Sequence, residues 1–205
     1  MTAQAGDTFP NSIAAQKSAL RSLLRKRRSS IPRSDRRKAA RRAAQALLKR
    51  LPSRCRIAIY LSVHSELSTE PLCAALLRAG HALSVPVTLR DWQMRFLPYD
   101  RNTAIRANGP LRLPEPVARR PMRSARHFDV ILLPLLGFDA SGGRLGNGGG
   151  YYDRALAGAR TGRRPKRIGY ACALQQVEAL PMDAFDVRLD AVVTERGWQR
   201  FPKHF

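Results

Sequence analysis

Six of the fourteen glycines fall within Gly142 to Gly150, a stretch that also carries Arg144 and is followed directly by Tyr151, Tyr152 and Asp153. Glycines allow positive backbone φ and expose consecutive N–H groups, so such a loop makes a concave nest for an anion. A helix beginning at Tyr151 would add the partial positive charge of its N-terminus. Arg144 inside the loop can donate a two-pronged bond to phosphate or carboxylate. Asp153, on the first turn, can serve as an N-terminal charge or as a magnesium ligand. The phosphate-loop pattern G-x-x-x-x-G-K-[ST] is absent, and the Gly146-x-Gly148-x-x-Tyr151 register fails the dinucleotide pattern at its last position.

The loop needs a strand before it and a helix after it. Phe128 to Leu136 is apolar throughout and reads as a central strand covered on both faces. A helix is expected from about Tyr151 to Ala159. Upstream, Arg56 to Ser62 reads as a strand, Thr69 caps a helix to Ala79, and Ala82 to Val87 reads as a strand, a β-α-β unit that calls for parallel pairing. Met94 to Tyr99 is a candidate strand. Asn102 to Arg126, rich in Pro and Arg, reads as loop. Lys166 to Cys172 and Leu189 to Thr194 are further strands, with a short helix from Gln175 to Leu180 between them. Near the start, the apolar spacing gives a helix from Gln16 to Ser30 and, with Ser34 as cap, a second to about Arg50. The expected architecture is α/β, a single domain with a mostly parallel central sheet flanked by helices on both faces. Residues 1–14 read as a flexible tail and 15–205 as one catalytic domain.

The formal net charge of +22 is local. Lys17 to Arg56 holds sixteen Lys or Arg and one acid, Asp35, whereas the remainder is only mildly basic. Three well-separated cysteines, Cys55, Cys73 and Cys172, match no metal-ligand spacing and read as reduced thiols. The longest apolar run, Val130 to Phe138, is too short to span a bilayer and contains Pro134. The first fifteen residues lack a signal-peptide pattern. A cytoplasmic monomer acting on small molecules, with no membrane and no specific nucleic-acid partner, is the expectation.

The run Leu133-Pro134-Leu135-Leu136-Gly137-Phe138-Asp139, then Gly143-Arg144-Leu145-Gly146-x-Gly148-x-Gly150-Tyr151-Tyr152-Asp153-Arg154, resembles the hallmark of 5-formyltetrahydrofolate cyclo-ligases. Other segments resemble that family in order: Lys17-x-x-Leu20-Arg21, Tyr60-Leu61-Ser62 with Glu66-x-x-Thr69, Pro114-Glu115-Pro116, and Asp186 with Asp190 to Thr194. Together they run from about Lys17 to Gly197. Two features depart from the family: Ser68 stands where an acid is common, and Pro110-Leu111 where some members place an aromatic.

The resemblance implies ATP-dependent conversion of 5-formyltetrahydrofolate to 5,10-methenyltetrahydrofolate, ADP and phosphate. It assigns ATP binding to Lys17, Arg21, Arg144, Leu145, Gly146, Asn147, Gly148, Gly149, Gly150, Tyr151 and Tyr152. Folate contacts fall to Val63, Glu66, Ser68 and Tyr152, catalytic roles to Arg144 and Tyr152, and Mg2+ to Asp153 and Asp186. His64, His81, His127 and His204 receive no role. One rival is a nucleic-acid module on the basic helices, which lacks aromatic interleaving and any recognised binding signature. Another is a phosphosugar isomerase or CoA transferase of similar topology, which fold alone could not separate.

Overall fold

Glycine spacing and apolar runs of this kind build a twisted open sheet, and the computed structural model has one. It describes residues 12–117, 121–159 and 165–202. Seven strands form the sheet: β1 (Arg56–Ala58), β2 (Ala82–Thr88), β3 (Met94–Tyr99), β6 (Val130–Leu133), β9 (Lys166–Tyr170), β10 (Ala191–Thr194) and β11 (Gly197–Arg200). Their order is β11-β10-β9-β6-β1-β2-β3, with the five inner strands parallel and β3 and β11 antiparallel edges. Two ribbons lie outside the sheet, β4 (Ile105–Asn108) with β5 (Leu113–Pro116), and β7 (Gly137–Phe138) with β8 (Arg144–Leu145).

The central strands are buried on both sides because both faces are covered. On one face, α2 (Arg33–Leu48) and α3 (Glu70–Arg78) lay Ala40, Ala43, Leu47, Leu72 and Leu76 against Ile57, Leu132 and Tyr170. On the other, Tyr151 and Leu156 of α4 (Tyr151–Leu156) join Phe96, Phe128, Phe138 and Val192. Helix α1 (Ile13–Ser29) crosses the sheet's end, packing Leu24 with Leu136, Leu145 and Leu180. Cys55, Cys73 and Cys172 are buried and form no disulfide, and burial pushes the thiols of Cys73 and Cys172 up to about 12.

Several elements differ from expectation. Residues 1–11 of the expected tail lie outside the described residues, but Ser12 already caps α1 by accepting from the Ala15 N–H, so residues 13–14 are helical. Ser34 does not cap α2; Pro32, with fixed φ, occupies that position and the helix starts directly after it. Thr69 precedes α3 but makes no cap bond, because its hydroxyl accepts from the Ser62 N–H instead. The expected helix at Gln175–Leu180 is a single 3-10 turn, Ala173–Gln175. There the Gln175 amide donates to the Leu135 carbonyl and accepts from the Cys172 N–H, satisfying in side-chain form what a helix would satisfy along its backbone. The Pro- and Arg-rich stretch contains the β4–β5 ribbon, and α4 is shorter than expected.

Gly169 sits in β9 where a Cβ would lie 2.8 Å from Leu135 and 2.9 Å from Leu189. Gly169→Ala should therefore overpack both core side chains and destabilise by about 1–3 kcal/mol in urea unfolding. An unchanged midpoint would mean that the neighbours swing aside freely.

Candidate active site

Strand order reverses between β1 and β6, since the chain leaves β1 for β2 on one side and later places β6 on the other. Beyond the carboxyl ends of strands at such a point lies the usual ligand crevice of open α/β sheets. A cavity of about 620 Å³ opens there. Its walls are the segment after β1, the segment after β6 with the glycine loop, the end of β2, the β4–β5 ribbon, the start of α1, and Asp183 with Asp186.

The glycine loop is set by Asp139. Its buried carboxylate accepts from the N–H of Ser141, Gly143 and Leu180 and from the Ser141 hydroxyl. The chain thus turns sharply and delivers Arg144 into the interior. Three glycines of the loop have conformations that side chains resist: Gly142 at φ +80, Gly148 at φ +104 and Gly150 at φ +65. A Cβ on Gly150 would sit 2.7 Å from the Arg154 guanidinium, which donates to the Gly149 and Trp92 carbonyls. Arg154 thereby ties the loop to the β2–β3 turn.

Arg144 is 7% exposed and donates from one terminal nitrogen to Asp153 Oδ1 at 2.6 Å. The same oxygen accepts from the Val187 N–H at 3.1 Å. Arg144 Nε is buried without a partner among the described residues. A guanidinium N–H left bare in the interior is costly unless a ligand completes it.

Across the cavity, the N-terminal half of α1 contributes Lys17 and Arg21. Arg21 donates to the Gly146 carbonyl at 3.1 Å. Lys17 donates to Asp183 at 2.7 Å and Asp186 at 2.5 Å. Burial alone would lower the Lys17 ammonium, but the hydrogen bonds and charges of the two aspartates outweigh it and raise it. The Lys17 bond holds Asp183 below its ordinary value. The sequence reading gave Lys17 to phosphate and Asp186 to magnesium; the structure pairs them with each other. Asp183 was not anticipated, though Asp183-x-x-Asp186 repeats an acid one turn apart.

Glu66 lies on a third wall. It accepts from the Val63 N–H at 2.9 Å, is bonded by Asn147, and has Arg28 at 3.9 Å. Burial raises its carboxyl above the ordinary value, and these partners only partly offset that. Arg28 is itself buried, donating to Ser65 and to the Leu135 carbonyl. Its guanidinium is lowered by burial. Tyr152 is pushed upward by burial and then by Glu66, so it stays a protonated phenol and a donor.

The structure brings together on one cavity wall or another Lys17, Arg21, Val63, Glu66, Tyr152, Asp153, Asp186 and every loop residue from Arg144 to Tyr151. Ser68 is the exception. It is absent from the cavity wall; its hydroxyl accepts from the Glu70 N–H and its carbonyl from the Tyr170 hydroxyl, which turns it towards α3 and the sheet. From the ribbon, Leu111, noted in the sequence only as a departure from the family, and Leu113, not anticipated at all, form part of the wall, and the carboxylate of Glu115, noted only within Pro114-Glu115-Pro116, holds that ribbon to Thr88. No three His, Cys, Asp or Glu side chains converge as a ready-made ion site among the described residues. No helix there is long and apolar enough to cross a membrane.

Known proteins resemble this chain in sequence and in fold. The 5-formyltetrahydrofolate cyclo-ligase of Escherichia coli K12 is 37% identical over 147 residues, 70% of this chain and 80% of that protein. The Mycolicibacterium smegmatis protein of the same name is 32% identical over 186 residues, covering 88% of this chain and 94% of that one. The solved structure of Aquifex aeolicus 5,10-methenyltetrahydrofolate synthetase superposes with a TM-score of 0.75 at 28% identity, over 92% of this chain and 94% of that one. The family description named 5-formyltetrahydrofolate cyclo-ligase matches residues 13–195, a span that takes in α1, the glycine loop and the acidic pair. The chain belongs to the 5-formyltetrahydrofolate cyclo-ligase family.

Proposed function

We infer that this protein closes the ring of 5-formyltetrahydrofolate, with ATP, to give 5,10-methenyltetrahydrofolate, ADP and phosphate. The observation that carries the reading is Arg144, a buried guanidinium with one N–H unpartnered, set in a glycine loop on the wall of the cavity. It is built to receive an anion that arrives with the substrate.

The formyl amide on N5 is a weak electrophile. Transfer of the γ-phosphoryl group to the formyl oxygen releases ADP and leaves an iminium phosphate. N10 then attacks the formyl carbon, loses its proton, and phosphate departs. Phosphoryl transfer asks the protein chiefly for position and charge neutralisation. The loop N–H groups from Gly146 to Gly150, with Arg144 and Arg21, would hold the phosphates. Tyr152, kept protonated by its burial, would donate towards the formyl oxygen. Glu66 would accept from the pterin ring while Val63 borders it. Asp153 and Asp186 would hold magnesium, which when bound neutralises phosphate charge. The donor set fits: both are hard oxygen ligands on the cavity wall, and the Lys17 ammonium already marks a cation position beside Asp186. Lys17 would turn to phosphate once a second cation relieves Asp186. Three buried cysteines, none of them in a disulfide, fit a cytoplasmic location.

The direct test is the appearance of methenyl absorbance from purified protein, ATP, magnesium and 5-formyltetrahydrofolate, with excess chelator abolishing it. Full rate in chelator would remove magnesium from the reading. Arg144→Ala should cost roughly 1.5–3 kcal/mol, about ten- to a hundredfold in kcat/KM for ATP, because a charge-assisted bond is lost. Wild-type ATP kinetics in that variant would refute the phosphate role.

Glu66→Gln should raise KM for the folate and leave KM for ATP near wild type. Its stability effect should depend on pH with a definite sign. A carboxyl raised by folding weakens the fold when ionised, so the wild-type penalty is absent below about 4.5 and grows as pH rises through the raised folded value. The variant should therefore gain on wild type at pH 8 relative to pH 4, measured by urea unfolding. A difference independent of pH would mean that burial of the carboxylate is not felt.

A further inference from the structure

The cavity accounts for Lys17 and Arg21 but leaves most of the basic segment unexplained. Helix α2 buries Ala39, Ala40, Ala43, Ala44 and Leu47. The opposite face carries Arg37, Lys38, Arg41 and Arg42, with Arg33 at the first helical position and Lys49 just past the last, all exposed and none lining the cavity. None has an ion-pair partner among the described residues. The one acid on this helix is Asp35, in the first turn. Spacings of three and four residues stack these charges along one side of a helix about 24 Å long. Like charges at that spacing repel, and Arg33 faces the positive end of the helix dipole. The arrangement works against the helix unless something external neutralises it.

We propose that the outward face of α2 is a docking strip for the phosphate backbone of a nucleic-acid duplex, engaged without reading base sequence. Four of its six bases are arginines whose planar forks match phosphate oxygens. No Phe, Tyr or Trp occurs from Ser12 to Arg56, so unpaired bases would find no stacking platform, which favours a duplex over a single strand. A membrane surface would call for apolar side chains among the bases, and the outward face of α2 has none; its two leucines and its alanines pack into or against the core. The strip lies away from the glycine loop, so docking leaves the cavity open, and the proposal stands whether or not the ring-closure reading does.

The test uses the full chain and a fluorescent 20-base-pair duplex of arbitrary sequence, with anisotropy read across a salt series. Wild type should bind, with log K falling against log salt at a slope of about −4 or steeper, near −0.9 per phosphate neutralised. Arg37→Gln, Arg41→Gln and Arg42→Gln together should reduce that slope by roughly two to three and weaken binding at least tenfold at fixed salt. Lys at the same three positions should keep most of the affinity, which separates lost charge from lost fold. Removing Arg78, Arg101 and Arg196, exposed bases elsewhere, should weaken binding less than threefold. Equal loss from the two Gln triples would show diffuse charge and overturn the strip. No binding at low salt, tighter binding to a single strand, or equal competition by anionic vesicles or polyglutamate would overturn the duplex as partner.

Discussion

Arg144 and Asp153 meet within the wall of the cavity at 2.6 Å, one from the loop after β6 and one from the first turn of α4. Taking such a pair out of water is expensive, and attraction repays it only where further hydrogen bonds complete both partners. Asp153 is helped by the Val187 N–H, which ties in the segment leading to β10. Three stretches of chain are thereby fixed around one carboxylate oxygen. Arg144 keeps an N–H in reserve, so the pair is structurally closed on one side and chemically open on the other. Asp139 sets the turn of the loop, and the direction of the free N–H follows from the Arg144–Asp153 contact.

The electrostatics of the cavity follow a similar economy. Lys17 lies against two aspartates, Arg28 lies near Glu66, and Arg144 lies against Asp153. Each charge is compensated before substrate arrives, so desolvation is tolerable, and each pair can be re-partnered when a polyanion and its counter-cation enter. Arrangements made before the reaction avoid reorganisation during it. The strong positive charge of the chain belongs to a different surface. The cavity wall carries three bases, Lys17, Arg21 and Arg144, against five acids, Glu66, Glu115, Asp153, Asp183 and Asp186, so a net excess of +22 gives a false impression of its interior.

Much of this was legible in the sequence for local reasons. Gly142 to Gly150 followed by Tyr-Tyr-Asp carries its geometry in its composition, and the β1-α3-β2 unit carries its own punctuation in Gly80, at φ +78 just past α3, while Thr69 marks the start of α3 by position without a cap bond. What stayed hidden depends on contacts distant along the chain. Nothing near Asp183 announces that it will grip Lys17, and nothing near Arg28 says that it will sit by Glu66. Gln175 to Leu180 was expected to be a short helix, but the Gln175 side-chain amide donates to the Leu135 and Leu136 carbonyls and the Val177 N–H to the Phe138 carbonyl, which bind this segment to the one after β6. The β4–β5 ribbon was masked by prolines, which are tolerated because it is a two-stranded ribbon with open edges. Ser68, placed with the substrate by resemblance, turns instead towards α3 and the sheet.

The Lys17–Asp186 contact joins residues 169 positions apart. A ribosome adding about 5–20 residues per second takes roughly ten to thirty seconds to lay down that interval. Throughout it, α1 exists without the aspartates that will hold it, and Leu24 without its neighbours Leu136, Leu145 and Leu180. The β1-α3-β2 unit can pair locally in the meantime, whereas the end of the cavity where Lys17 meets Asp183 and Asp186 cannot exist on any shorter nascent chain. Activity should thus arrive late in biogenesis, after most of the sheet has formed, and the first helix synthesised is among the last to find its place.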